Sequence, residues 1–245
     1  MLPEAITVTS LDHFLRTATE ITATPGTWLF RGHKDQNWPL RPGIARVTPL
    51  TGDLEQVEQQ IFDDFQRYVR PHLRQPPSSP WEWLALAQHH GVPTRLLDWS
   101  SNPMAALYFA VEEVWDHRSV VWCYRCGRAP VQQGSDPLAV SRVGFFRPSH
   151  VSPRISGQIG YFTVHPAPFK PLQASRESDE LLVKLEIRLR DRARFRRELD
   201  RIGINRASMF PDLDGIARHL KWAYCRMEDE ADRPRPEVLP EQGWA

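Results

Sequence analysis

The apolar positions of this chain change repeatedly between helical and strand spacing, and the elements they predict are short and alternating. Behind Ser10, a favourable N-cap, Leu11, Phe14, Leu15 and Ala18 share one face and predict an amphipathic helix within Ile6 to Ile21. The Thr24-Pro25-Gly26 turn then leads into Thr27 to Gly32, an apolar strand ending in Arg-Gly. A second short strand is expected over Trp38 to Pro42, after the turn at Asp35-Gln36-Asn37. Leu54, Val57, Ile61, Phe65, Tyr68 and Val69 predict a long helix between Gly52 and Arg70.

The stretch from Trp83 to Glu112 reads helix, strand, helix. Gly91 and Pro93 stop the first helix, and Arg95 to Trp99 is a short apolar run with charged ends. Met104, Leu107, Tyr108 and Val111 give the second helix one buried face, behind Pro103 and a cap at Ser100, Ser101 or Asn102. Strands are expected at Val120 to Cys126, Val143 to Phe146, Tyr161 to His165 and Glu180 to Ile187. Helices are expected at Arg188 to Arg201, ended by Gly203, and at Gly215 to Cys225. The alternation, with no internal repeat, predicts an α+β fold: a single domain with a mixed, mostly antiparallel sheet flanked by helices. Residues 1–26 read as an N-terminal helical segment and 27–225 as the domain. The span 226–245, with six acids, three arginines and three prolines, has the composition of a disordered tail.

A net charge of +1 gives no global bias toward nucleic acid or membrane, and no run approaches the apolar length of a membrane span. Three cysteines exclude a disulfide framework, so a reducing cytoplasmic setting is expected; Cys123-x-x-Cys126 without a second pair is only half of a zinc site. The polar residues are more informative. Gln88, His89, His90, Arg95, Asp98 and Ser100 gather where predicted elements meet, and a carboxylate on an apolar strand asks for a partner. Arg95 or an amide at the start of the next helix can supply one, or Asp98 can itself cap that helix. His89 and His90, adjacent on a helix, point about 100° apart and do not chelate one ion readily.

Arg31 at a strand end, with Gly32 behind it to let backbone approach a ligand, can hold an anionic group; pairing with a core carboxylate such as Asp98 is the alternative. Gln158, bracketed by Gly157 and Gly160 at a strand entrance, can present its amide to a ligand. From Lys184 to Arg206 nine Lys or Arg stand against four Asp or Glu, so the helix at 188–201 is a candidate nucleic-acid or protein recognition surface as well as a solvated face. His89 with Asp98 would also serve a metal-independent nuclease.

Phe30-Arg31-Gly32, QHHGVPTRLLDWSSNPMAALYFA from Gln88, RISGQIGYFTVH from Arg154 and MFPDLDGIARHL from Met209 together resemble the successive motifs of the FRG domain. More remotely, the arrangement resembles ADP-ribosyltransferases. That resemblance implies an ADP-ribosyltransferase-like fold and an NAD-consuming transferase, a toxin or antiphage effector that modifies a protein or nucleic acid and is restrained by a neutralising partner. Carried onto this chain, it implies NAD contacts at Arg31, Gly32, Trp99, Ser100 and Tyr108. Its catalytic set would be Arg31, His89, Asp98 and either Gln158 or Glu180, with Glu177 a neighbouring acid. Asp98 stands where those enzymes carry a serine, and Gln158 where they often carry a glutamate.

Overall fold

The computed structural model describes residues 5–50, 52–127, 130–131, 134–148, 160–174 and 179–225. Seven strands form one sheet: β1 (Ala5–Val8), β2 (Thr27–His33), β3 (Leu96–Ser100), β4 (Ser119–Cys126), β5 (Gly144–Phe146), β6 (Gly160–Val164) and β7 (Leu181–Ile187). Their order is β1-β7-β4-β2-β3-β6-β5; β1 and β7 run parallel and every other neighbouring pair is antiparallel. The helices are α1 (Leu11–Thr22), α2 (Leu54–Val69), α3 (Pro80–His89), α4 (Pro103–Val111), α5 (Arg192–Arg201), α6 (Arg206–Met209) and α7 (Leu213–Tyr224). The architecture is the expected α+β one, a single mostly antiparallel sheet with helices.

Ser10 caps α1 by accepting from the His13 amide, and Asp53 and Ser79 cap α2 and α3 in the same way. Ser10 fixes the helix start where the sequence placed its cap, and Ala5–Val8 ahead of it forms an edge strand against β7, within a segment that the sequence read as helical only. Trp38 to Pro42 is not a strand. Pro39 and Pro42 lack the N–H a ladder needs, and the segment anchors instead through buried Leu40, whose carbonyl accepts from Leu172 N. A short 3-10 turn at Gly43–Arg46 follows it.

One face of the sheet carries the helices, in two groups. Phe14, Ala18 and Ile21 of α1, α4, and Phe195 and Leu199 of α5 pack on β1, β7, β4 and β2. Phe62 of α2 and Trp81 to Leu86 of α3 pack on Leu96, Phe146, Phe162 and Val164 of β3, β5 and β6. The opposite face buries Leu29, Leu97, Trp99, Tyr124 and Phe145 under Leu40 and Leu172. Helix α4 lies between the sheet, α1 and α5, so Met104 to Tyr108, Ala110 and Val111 are all buried, rather than the single face its periodicity predicts. The two helical groups meet above the β2–β3 boundary, which is also the weakest point of the sheet: these strands are joined at one residue pair, Phe30↔Ser100.

Candidate functional site

A cleft of about 330 Å³ opens at this seam, lined by Phe30, Arg31 and Gly32 of β2, Asp98 to Ser100 of β3, Gln88 and His89 of α3, Ala106 and Phe109 of α4, and Phe210. Beyond Phe30↔Ser100 the two strands part, and the Arg31 side chain bridges the gap. Its Nη1 donates to the Asp98 carbonyl at 2.6 Å and stands 3.5 Å from Asp98 Oδ2, while Nε donates to His33 Nε2 at 2.9 Å. Burial pushes the Arg31 pKa down, and the Asp98 carboxylate opposes this.

Asp98 is exposed and takes a 2.8 Å hydrogen bond from Gln88 Nε2. The Gln88 amide is fixed from its other end, since Thr94 Oγ1 donates to Oε1 at 2.6 Å. The last turn of α3 thus holds the acid of β3. Asp98 does not cap α4; Asn102 does, accepting from Met104 N at 2.9 Å. Nor is Arg95 its partner. Arg95 makes a buried ion pair with Glu58 of α2, Nη2 to Oε2 at 2.6 Å, and gives its Nη1 to the Leu138 carbonyl.

Gly32 has a packing reason. A Cβ there would lie 2.0 Å from the Ala106 carbonyl oxygen and 2.6 Å from Ala110 N, so the missing side chain lets α4 descend onto β2. Trp99 is buried and faces away from the helices, stacked obliquely on Tyr124 with ring centroids 5.5 Å apart and donating to Thr163 Oγ1 at 2.9 Å. Ser100 Oγ accepts from Asn102 N at 2.9 Å.

Arg31, Gly32, His89, Asp98, Trp99 and Ser100 are therefore gathered at one cleft. Tyr108 is not among its lining residues. It turns toward Glu112, and burial together with that carboxylate raises its pKa; it borders a separate cavity of about 20 Å³ with Arg196, Asp200, Arg206, His219 and Trp222. Glu180 precedes β7 beside Gly127, where an added Cβ would meet its side chain at 2.9 Å, and it too does not line the cleft. The β7 residue in register with Arg31 is Lys184, through Trp122 of β4, which sets Glu180 roughly 15 Å from the Arg31 backbone by strand spacing. Gln158 and Glu177 lie outside the described residues.

Cys123 and Cys126 belong to clusters on opposite faces of β4, and burial pushes both thiols up to about 12. Among the described residues no group of three or more His, Cys, Asp and Glu side chains is placed to hold a metal ion. No described helix is long and apolar enough to cross a membrane.

Residues 26–119 match the FRG domain family. The FRG match runs from the turn before β2 to the first residue of β4 and contains every cleft residue except Phe210. No curated protein and no solved structure matches the chain. Beyond the FRG segment, the motif around Phe210 is also explained by packing: a Cβ on Gly215, in the first turn of α7, would lie 1.9 Å from the Phe210 carbonyl oxygen. That turn, capped by Asp212, sets Phe210 edge-on to Phe109 at 5.9 Å, forming the aromatic wall of the cleft. Phe109 at the cleft and His33 beside Arg31 are residues that the sequence reading did not single out, whereas Gln88 was among its polar junction residues and Phe210 lay in a quoted motif.

Proposed function

We propose that this cleft binds NAD and cleaves its nicotinamide–ribose bond, passing ADP-ribose to a protein or nucleic-acid acceptor. The observation that carries the reading is the pairing of a largely buried arginine with one carboxylate at the floor of an aromatic-walled cleft. Arg31, with part of its fork unengaged, suits a phosphate oxygen, and Phe30, Phe109 and Phe210 suit a flat ring. Asp98 is the one carboxylate among the described lining residues. As the C1′–N bond breaks, its electron pair neutralises the pyridinium and positive charge develops on the ribose. A carboxylate held by Gln88 stabilises that charge without reorganising. The acceptor's nucleophile then adds to C1′ and gives up its proton, for which Asp98 and His89 are the available bases at the cleft. The volume lies at the small end of ligand pockets, about 300–1,000 Å³, which matches part of a dinucleotide better than all of it.

The basic helix gives less support to a recognition domain. Arg192 is buried and donates to the Val111 carbonyl, Arg194 binds the Thr9 carbonyl and Asp191, and Arg196 lies over Trp222. These arginines fasten α5 to its neighbours. Calorimetric titration with NAD and with ADP-ribose tests the proposal: Arg31→Ala is expected to weaken both about 10- to 100-fold, the loss of one charge-assisted hydrogen bond to phosphate. Equal affinities for wild type and Arg31→Ala would count against it.

A further inference from the structure

The imidazole of His33 lies two residues beyond Arg31 on the same face of β2 and is only 4% exposed. Its ring sits edge-on to Trp38 and to Trp122, with centroids 6.2 and 6.5 Å away. Arg31 Nε is always a donor, so His33 Nε2 must offer a lone pair in their 2.9 Å hydrogen bond, which leaves the ring proton on Nδ1. Nδ1 is buried near the Trp38 backbone, with no hydrogen bond of good geometry there. The well-formed hydrogen bond of the ring is the one it accepts from the arginine.

With Nε committed to His33 and Nη1 to the Asp98 carbonyl, two edges of the guanidinium are fixed. Nη2 makes no hydrogen bond among the described residues, and the Arg31 side chain keeps 17% of its surface exposed at the cleft.

We propose that His33 is a positioning residue, whose imidazole locks the Arg31 fork so that its free Nη2 edge meets a phosphate of the ligand in the cleft. This rests on the reading of Arg31 as the anion-binding group. The charges around the ring keep it competent. Burial, Arg31 and then Arg46 hold its pKa down to about 3, with the Trp38 backbone and Asp35 acting the other way without offsetting them. A charged ring would have no lone pair for Arg31 and would repel it.

The test is titration of the full chain with inorganic pyrophosphate and with ADP-ribose, comparing wild type, Arg31→Ala, His33→Leu and His33→Gln, with nicotinamide release from NAD measured alongside. The expected pattern is a roughly tenfold weaker Kd and a raised KM with little change in kcat for His33→Leu, largely rescued in His33→Gln, whose amide oxygen can accept from Nε. Wild-type affinity in folded His33→Leu, while Arg31→Ala binds poorly, would overturn the role of His33 and leave that of Arg31 standing. Unchanged affinity in Arg31→Ala would instead remove the anion-binding reading beneath it. Should His33→Leu fail to fold, nitrogen NMR of the wild-type protein decides: a protected Arg31 Nε–H bonded to a His33 Nε2 without a proton is expected, and a freely exchanging Nε–H overturns the proposal.

Discussion

At the scale of single residues, the Phe-Arg-Gly sequence divides its work between packing and chemistry. Phe30 reaches the core, Arg31 fills the gap between parting strands, and Gly32 makes room for the backbone of α4. The sequence suggested that the glycine admits a ligand; the structure shows that it admits a helix. Gly32→Ala is accordingly expected to destabilise the fold by about 3 kcal/mol or more, since backbone cannot yield as a side chain would, and thermal unfolding measures this. A Gly32→Ala protein with unchanged Tm would contradict the packing argument. Asp98 shows the limit of reading neighbours. Its closeness to Arg95 in sequence suggested a pair, whereas Arg95 finds Glu58, 37 residues away, and Asp98 finds Gln88 and Arg31. Arg95 precedes β3 and is taken up by α2, whereas Asp98 sits within the strand beside the last turn of α3, a division that packing sets and sequence spacing does not reveal.

At the scale of elements, those with strong period or a capping residue were legible: α1, α2, α3 and the strands β2, β3, β4, β5 and β7 fall within a few residues of their expected places. Less legible were elements defined by their surroundings. Four residues of β1 have meaning only beside β7, and the two prolines near Leu40 outweigh its apolar neighbours. The buried Arg95–Glu58 pair joins α2 to the start of β3, with Glu58 also accepting from the Arg95 backbone N–H at 3.0 Å. Removing one member leaves an uncompensated charge inside. Glu58→Gln is thus expected to cost about 3–5 kcal/mol in urea unfolding, and a loss below about 1 kcal/mol would mean that water replaces the pair. Because α3 follows α2 and carries Gln88, this variant is also expected to loosen the hold on Asp98.

At the scale of the whole molecule, the sheet is one body covered by two helical groups, and the cleft lies where those groups abut and the strands are joined by a single pair. Sequence could list most of the cleft residues because the FRG segment holds them, but Phe210 enters from beyond it through the turn before α7. The same buried histidines give the fold a pH signature. His33 and His165, held to about 3 and about 4 chiefly by burial, are neutral in the folded chain and protonated in the unfolded chain below about pH 6.5. The unfolded state then binds more protons, so stability is full above that pH and falls as pH drops toward 4. Each histidine contributes about 1.4 kcal/mol per pH unit. Replacing His165, which shares a 2.9 Å hydrogen bond with Thr163 Oγ1, by Gln should halve the slope between pH 6 and 4.5, and an unchanged slope would show that carboxylates set it.

The most direct measurement of the cleft's chemistry is nicotinamide release from NAD by the purified chain, with and without cell lysate as a source of acceptor. Wild type should release nicotinamide when lysate is present, with Arg31→Ala inactive and Asp98→Asn slowed about 100-fold or more, because an amide cannot replace the carboxylate facing the developing charge. No release from folded wild-type protein under either condition, or full activity in Asp98→Asn, would contradict the proposed transferase.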